Sequence, residues 1–139
     1  MSDITLDQAL QIIDLSLAEA RRLKFAPMTV AVLDRGGHLV ALKREDESSN
    51  MRAEIAQAKA RGALGFGSST RALMERAAQV PQFFTAMAAL SGGNVVPIPG
   101  GLLIHDANKR VCGAVGLSGD TGDNDEKCAI AALAAVVVA

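Results

Sequence analysis

The chain has 139 residues, with 14 Lys and Arg against 15 Asp and Glu; half of its residues are apolar and 21% are charged. That length and balance suit a single folded domain over residues 1–139 and exclude a disordered tail or a fibrous repeat. Near-neutral charge, with Lys and Arg scattered and no Trp or Tyr to stack on bases, argues against nucleic acid as a partner.

The opening MSDITLDQAL has no long apolar run, so neither a signal peptide nor a membrane span is expected, and the cytoplasm is the expected compartment. From Thr5 to about Leu23, Leu6, Ala9, Leu10, Ile13, Leu17 and Ala20 recur at the spacing of one helical face, with Thr5 and Gln8 as a capping box and Pro27 closing the segment. Met28 to Asp34 and His38 to Arg44 are β-rich runs joined by Arg35, Gly36 and Gly37, a hairpin. Asp34 has a plain role there as the first residue of the turn. After the polar EDESSN, Met51, Ile55, Ala58 and Gly62 share a helical face that runs to about Leu64, and its many alanines imply close packing.

Gly65 and Gly67 are expected to break that helix. Ser69 can cap a short third helix (TRALMERAA), and Pro81 can open a fourth (PQFFTAMAAL). The stretch Ser91 to Gly101, with its prolines and glycines, reads as a pocket-lining loop or an edge strand. A second hairpin, Leu102 to Asp106 and Val111 to Ser118, turns through Ala107 to Arg110. The chain then ends in a helix that Asp123 and Glu126 would open as an acidic capping box, and whose CAIAALAAVVVA run is apolar nearly all round. Elements segregated in this order predict an α+β fold, an antiparallel sheet with helices. A core built mostly from Ala, Val and Leu fills volume poorly, so a homo-oligomer is expected.

Few motifs carry chemistry. Gly65 to Thr70 lacks the preceding strand and third glycine of a dinucleotide fingerprint, and Asp120, Asp123 and Asp125 lack the glycine and distal glutamate of a calcium loop. Ser118, in GLSG, sits where a nucleophile elbow would be, but without its final glycine or an assignable His-Asp pair. The glycines there are better placed to turn backbone N–H groups toward a ligand at the start of the last helix, where the acids from Asp120 to Glu126 would require a compensating cation. Arg44, Arg52, Lys59 and Arg61 are available, each with a solvated helix face as its plain alternative, and Arg44 with Lys59 is the preferred pair for a carboxylate-bearing ligand. His38 and His105 are the only imidazoles; either is a surface or core histidine or an axial haem ligand. Cys112 and Cys128 have neither zinc spacing nor disulfide density and read as reduced core thiols.

Taken together, AVLDRGGHLVALKRED, IAQAKARGA, SSTRAL, PGG, GAVGLSG and DEKCA, in that order over most of the chain, resemble the GlcG/HbpS-like haem-degrading-domain family, related to the C-terminal domain of PduO-type proteins. The resemblance implies a five-stranded antiparallel sheet flanked by helices in a profilin-like or PAS-like layout, assembly into oligomers, and haem or tetrapyrrole binding in some members, with others found beside glycolate or diol metabolism. Carried onto this chain, it points to Asp34, Gly37, Arg44, Asp46, Lys59, Gly100, Gly101, Gly116, Ser118, Gly119, Asp125 and Glu126. The chain departs from the family in having Glu45 and Glu47 where a methionine and a glycine are usual, and in the acidic turn GDTGDND, which together predict a more negative pocket rim and admit a smaller, polar substrate.

Three functions follow as expectations. The first is a small-molecule-binding protein for haem or a tetrapyrrole, with His38 or His105 on the iron and Arg44, Lys59, Gly100, Gly101, Gly116, Ser118 and Gly119 around the ligand. The second is a small cofactor-independent enzyme of carboxylate or aromatic catabolism, with Asp120, Asp125, Glu126 or a histidine as acid–base group. The third is an oligomeric accessory module acting through its surface.

Overall fold

The computed structural model describes residues 3–138. Among them are five helices and four strands: α1 (Leu6–Arg22), β1 (Thr29–Asp34), β2 (Leu39–Arg44), α2 (Asn50–Phe66), α3 (Thr70–Gln79), α4 (Pro81–Leu90), β3 (Gly101–His105), β4 (Val111–Ser118) and α5 (Gly122–Ala135). The fold is α+β, as expected. All neighbours in the sheet are antiparallel, in the order β2-β1-β4-β3.

The sheet has four strands, not the five that the family resemblance implied. The stretch before β3 carries Pro97 and Pro99, which have no N–H to offer a ladder, so it crosses over α2 as an irregular loop and joins the sheet only at Gly101.

Local chemistry sets most element ends. At the start of α1, Thr5 Oγ1 accepts from Gln8 N–H and Gln8 Oε1 accepts from Thr5 N–H, the reciprocal capping box. Ser69 caps α3, and Pro81 stands in the first turn of α4. Three details differ from the sequence expectation. Gly65 lies inside α2, and only Gly67, left-handed at φ 66°, ends it. Thr121, not Asp123, caps α5 by accepting from Asn124 N–H, because the Glu126 side chain is drawn instead to Arg71. Leu6 is 55% exposed, and the buried stripe of α1 is centred on Ala9, Ile12, Ile13, Ser16 and Ala20.

The sheet separates two cores by strand alternation. Val30 and Val32 of β1 and Val115 and Leu117 of β4 point to α1 and α5, where they meet Ile12, Ile13, Cys128, Ala129 and Ala132. The opposite face is covered by α2, where Leu33 and Ala114 meet Ala60. Cys112 and Cys128 are buried free thiols. Burial, with Asp125 nearby, pushes the Cys128 thiol up to about 11. The apolar C-terminal run is helical only to Ala135; Val136 turns extended, Ile130 is 51% exposed, and Ala139 lies outside the described residues.

Small residues govern the α2 face. A Cβ on Gly116 would collide with the carbonyl oxygen of Ala56, and one on Gly101 would lie 2.6 Å from the carbonyl oxygen of Lys59. Helix and sheet are in backbone contact, and neither atom can yield without moving the helix. Gly116→Ala is therefore expected to cost about 3 kcal/mol or more in urea unfolding, at or above the upper end for overpacked cores.

Candidate functional site

β4 ends at Ser118, and the chain turns through Gly119 and Asp120 into α5. There α2, the loop over it and the start of α5 leave a hollow of about 240 Å³. Helix α2 supplies Arg52, Ile55 and Lys59, the loop supplies Val96 and Ile98, and the turn into α5 supplies Ser118, Asp120 and Asp125. The helical spacing of 52, 55 and 59 puts its three residues on one face.

At the floor lies an ion pair. Lys59 Nζ is 3.1 Å from Asp125 Oδ2 and donates to the Leu117 carbonyl at 2.9 Å, while Asp125 Oδ1 accepts from Asp120 N–H at 2.8 Å. The two side chains are 3% and 1% exposed. Burial lowers the Lys59 pKa against the opposing pull of Asp125, and burial raises that of Asp125 against the pull of Lys59. Desolvation thus works against both charges, and each is kept by the other. Gly100 makes room for this arrangement: it has φ +127°, and a Cβ there would stand 2.8 Å from Lys59 Nζ.

Above the pair, Arg52 Nη1 donates to Ser118 Oγ at 3.0 Å, and Ser118 is fully buried. Asp120 faces the hollow but is committed elsewhere. Its Oδ2 accepts from Ala26 N–H, and its Oδ1 from Thr121 N–H and the Asn124 amide, each at 2.8 Å. The Ala26 and Thr121 N–H groups and Asn124 together hold its carboxyl below the usual aspartate range.

The structure therefore brings together Lys59, Gly100, Ser118, Asp120 and Asp125, and leaves the other sequence candidates elsewhere. Arg44 donates to the Ser48 carbonyl at 2.8 Å and lines a separate depression with Arg21, Glu45, Asp46 and Glu47. Glu45 is paired there with Arg21 at 3.0 Å and accepts from Met28 N–H, so the unusual Glu45 and Glu47 border that depression and not the hollow over Lys59. Gly101 and Gly116 lie beneath α2, and Gly119 is pressed against Pro27, so backbone packing accounts for all three. Glu126 is held by both oxygens on Arg71 Nε.

The cation that accompanies Lys59 is Arg52, not the preferred Arg44. Arg52 was legible as one of four available cations. What separates it is that residues 52, 55 and 59 share a helical face, while Arg44 ends an edge strand.

Both histidines lie at the other end of the sheet. β1 pairs Thr29 with Ser118 and Asp34 with Gly113, and β3 pairs His105 with Val111, so His38 and His105 sit about 20 Å along the strands from Ser118. His105 is exposed at the strand end. The side chain of His38 is 82% exposed, and its Nδ1 is 3.2 Å from Asp34 Oδ1. That same oxygen accepts from the Gly36 and His38 N–H groups. Burial works against the Asp34 charge, but these N–H groups and the His38 ring prevail and hold the carboxyl below its usual range.

Two stability predictions come from this geometry. Lys59→Met is expected to cost about 3 kcal/mol or more in urea unfolding by stranding the Asp125 carboxylate, and Lys59→Met with Asp125→Leu to regain most of that loss. Asp120 has a folded pKa below its unfolded value of about 3.9, so its stabilisation is intact at neutral pH and disappears as the pH falls from there through the folded value. Asp120→Asn is expected to lower the melting temperature at pH 7 and to flatten its decline in that acidic window.

Comparison with known proteins agrees with this fold. The chain matches the haem-degrading, HbpS-like protein family over residues 4–134. It superposes on Streptomyces reticuli HbpS, solved as a double mutant, with 25% identity and a TM-score of 0.81, over 96% of this chain and 87% of that one. Klebsiella pneumoniae protein ORFY gives 28% identity and a TM-score of 0.85, over 98% and 94%. A PduOC–haem complex, at 23% identity, shares the fold with a TM-score of 0.86, over 99% and 97%. No curated protein matches the chain. With nearly its whole length matched, the chain belongs to the HbpS-like family of haem-degrading proteins.

Proposed function

We propose that this protein binds haem or a related tetrapyrrole, and that it does so at the β1–β2 hairpin. The observation that carries the reading is the His38–Asp34 pair. A carboxylate on Nδ1 fixes the imidazole's orientation and tautomer, and an exposed ring leaves Nε2 open, the arrangement by which a protein presents a histidine to a metal. Family membership supports the same ligand class.

The hollow over Lys59 does not fit that group. It has no imidazole or thiolate on its walls, and at about 240 Å³ it is smaller than cofactor pockets usually are. The hairpin suits it better. Between hairpin and α2 lies an open hollow of about 420 Å³ lined by Arg35, Gly36, Gly37, Arg61, Leu64 and Gly65. The His38 ring lies against Gly36 on its border. His38 would hold the iron, Arg35 and Arg61 would take the propionates, and the glycines with Leu64 would leave a low wall for the ring. When bound, the group would supply the redox and ligand-exchange chemistry of its iron.

Haemin titration followed at the Soret band tests this directly, because a chain without Trp or Tyr contributes almost no near-ultraviolet absorbance of its own. A saturable Soret shift is expected, lost in His38→Ala, weakened about tenfold in Asp34→Asn and unchanged in His105→Ala. A wild-type protein with no saturable shift ends the proposal, and loss confined to His105→Ala would move the iron to the other histidine.

A second reading, a cofactor-independent enzyme using an acidic residue, rests on Asp125. Of the three acids considered, Asp120 and Asp125 both border the hollow and both are hydrogen-bonded, but N–H donors hold Asp120 below its usual range while burial raises Asp125; Glu126 is taken by Arg71. Unchanged turnover of hydroxy acids or ring-cleavage products in Asp125→Asn would remove it. Self-association belongs with either reading and with an accessory role, since Leu90 is 79% and Ile130 51% exposed on the single chain.

A further inference from the structure

We propose that the hollow over Lys59 is a second site, independent of the haem reading, which binds a small monocarboxylate with a short apolar body, its carboxylate received by Arg52.

The argument begins from unspent donors. Arg52 is half-buried, points into the hollow and gives one N–H to Ser118. It stands in no ion pair among the described residues, although Asp120 and Asp125 share the same walls. Each of those acids has its oxygens committed, Asp120 to N–H groups and Asp125 to Lys59 and the Asp120 N–H. A guanidinium has five donors, so several remain for a planar, bidentate acceptor. Lys59 likewise spends two of its three N–H bonds on Leu117 and Asp125, leaving one. Ser118, fully buried, has its oxygen occupied by Arg52 and its own O–H still to give. The polar side of the hollow thus carries spare donors on Arg52, Lys59 and Ser118 beside two carboxylates whose oxygens already accept hydrogen bonds.

Size and charge narrow the ligand. About 240 Å³ is the space of roughly eight water molecules, too small for a cofactor and adequate for a compact acid. Ile55, Val96 and Ile98 form an apolar wall opposite the donors, suited to a short hydrocarbon or ring. Arg52 and Lys59 are matched in charge by Asp120 and Asp125, so the hollow itself is neutral; a dianion such as phosphate would bring two uncompensated charges beside the two acids, whereas a monocarboxylate brings one, taken directly on the guanidinium. A neutral amide of the same shape would forfeit the charge-assisted bonds.

The test is amide chemical-shift titration of the full chain with propionate, pyruvate and benzoate, and with propionamide as the uncharged control. At least one acid is expected to give saturable shifts at Gly100, Ser118 and Gly122, and propionamide none. Arg52→Gln keeps a donor for Ser118 and removes the charge; it is expected to weaken binding about tenfold or more while leaving the remaining spectrum and the haemin titration intact. Arg52→Lys should fall between the two. The inference is overturned if none of the acids saturates in the millimolar range, if propionamide binds as tightly as propionate, or if Arg52→Gln binds like wild type. Because His38→Ala should leave the carboxylate titration unchanged, failure here and failure of the haem reading are told apart.

Discussion

The contact between α2 and the sheet is the constraint from which the rest of the site follows. At Gly116 and Gly101 the sheet offers no side chain, and the backbone of α2 at Ala56 and Lys59 occupies the space where one would be. Only at that separation does the Lys59 side chain reach the Leu117 carbonyl near the end of β4 and the Asp125 carboxylate beyond it. A helix held farther off by ordinary side chains would present its lysine to solvent and leave Asp125 alone at the start of α5. The alanines and glycines that make the core look underfilled are what allow a backbone-to-backbone fit, and the hollow is the remainder where the fit stops.

The cost of that fit is two charges taken out of water. Each is pushed toward its neutral form by burial and restored by the other, so the pair is held together more by the penalty of separation than by net attraction. Such a pair adds little stability over apolar replacements, yet it fixes the position of the Lys59 ammonium to within a hydrogen bond. Arg52, about two helical turns before Lys59, and Ser118, next to Leu117, are positioned on the same frame.

Much of the architecture was legible in the sequence because it is encoded locally. The Thr5–Gln8 capping box, the Asp34–Gly37 turn, Ser69 and Pro81 as helix starts and both hairpins are set by a few neighbouring residues. The apolar period of α1 was readable, but its rotation was not, since the exposed Leu6 and the buried Ser16 depend on where α5 and the sheet lie. The site was readable only in part. Lys59, Ser118 and Asp125 share one hollow with Gly100 packed against the ion pair, but Arg44 with Lys59 was a pairing by charge, and charge does not tell which end of a strand or which helix face a residue occupies. Glycines carry the same ambiguity. Gly100 accommodates an ammonium, whereas Gly101 and Gly116 accommodate a helix, and nothing in the letters distinguishes them.

The two ends of the sheet are chemically different, and that difference bears on how a haem-family chain divides its tasks. The hairpin end offers an exposed imidazole braced by a carboxylate, with Arg35 and Arg61 beside an open wall. The other end offers a small hollow with cationic donors and two hydrogen-bonded carboxylates on one side and aliphatic carbon on the other, and neither imidazole nor thiolate on its walls. β1 runs between them, from Thr29 beside Ser118 to Asp34 beside His38, and all its residues except Asp34 are buried. Interiors packed to this density transmit strain poorly by bending and well by rigid displacement. Ligands at the two ends could influence each other only if the sheet and α2 moved as a unit, and the backbone contact at Gly116 is what would make them do so.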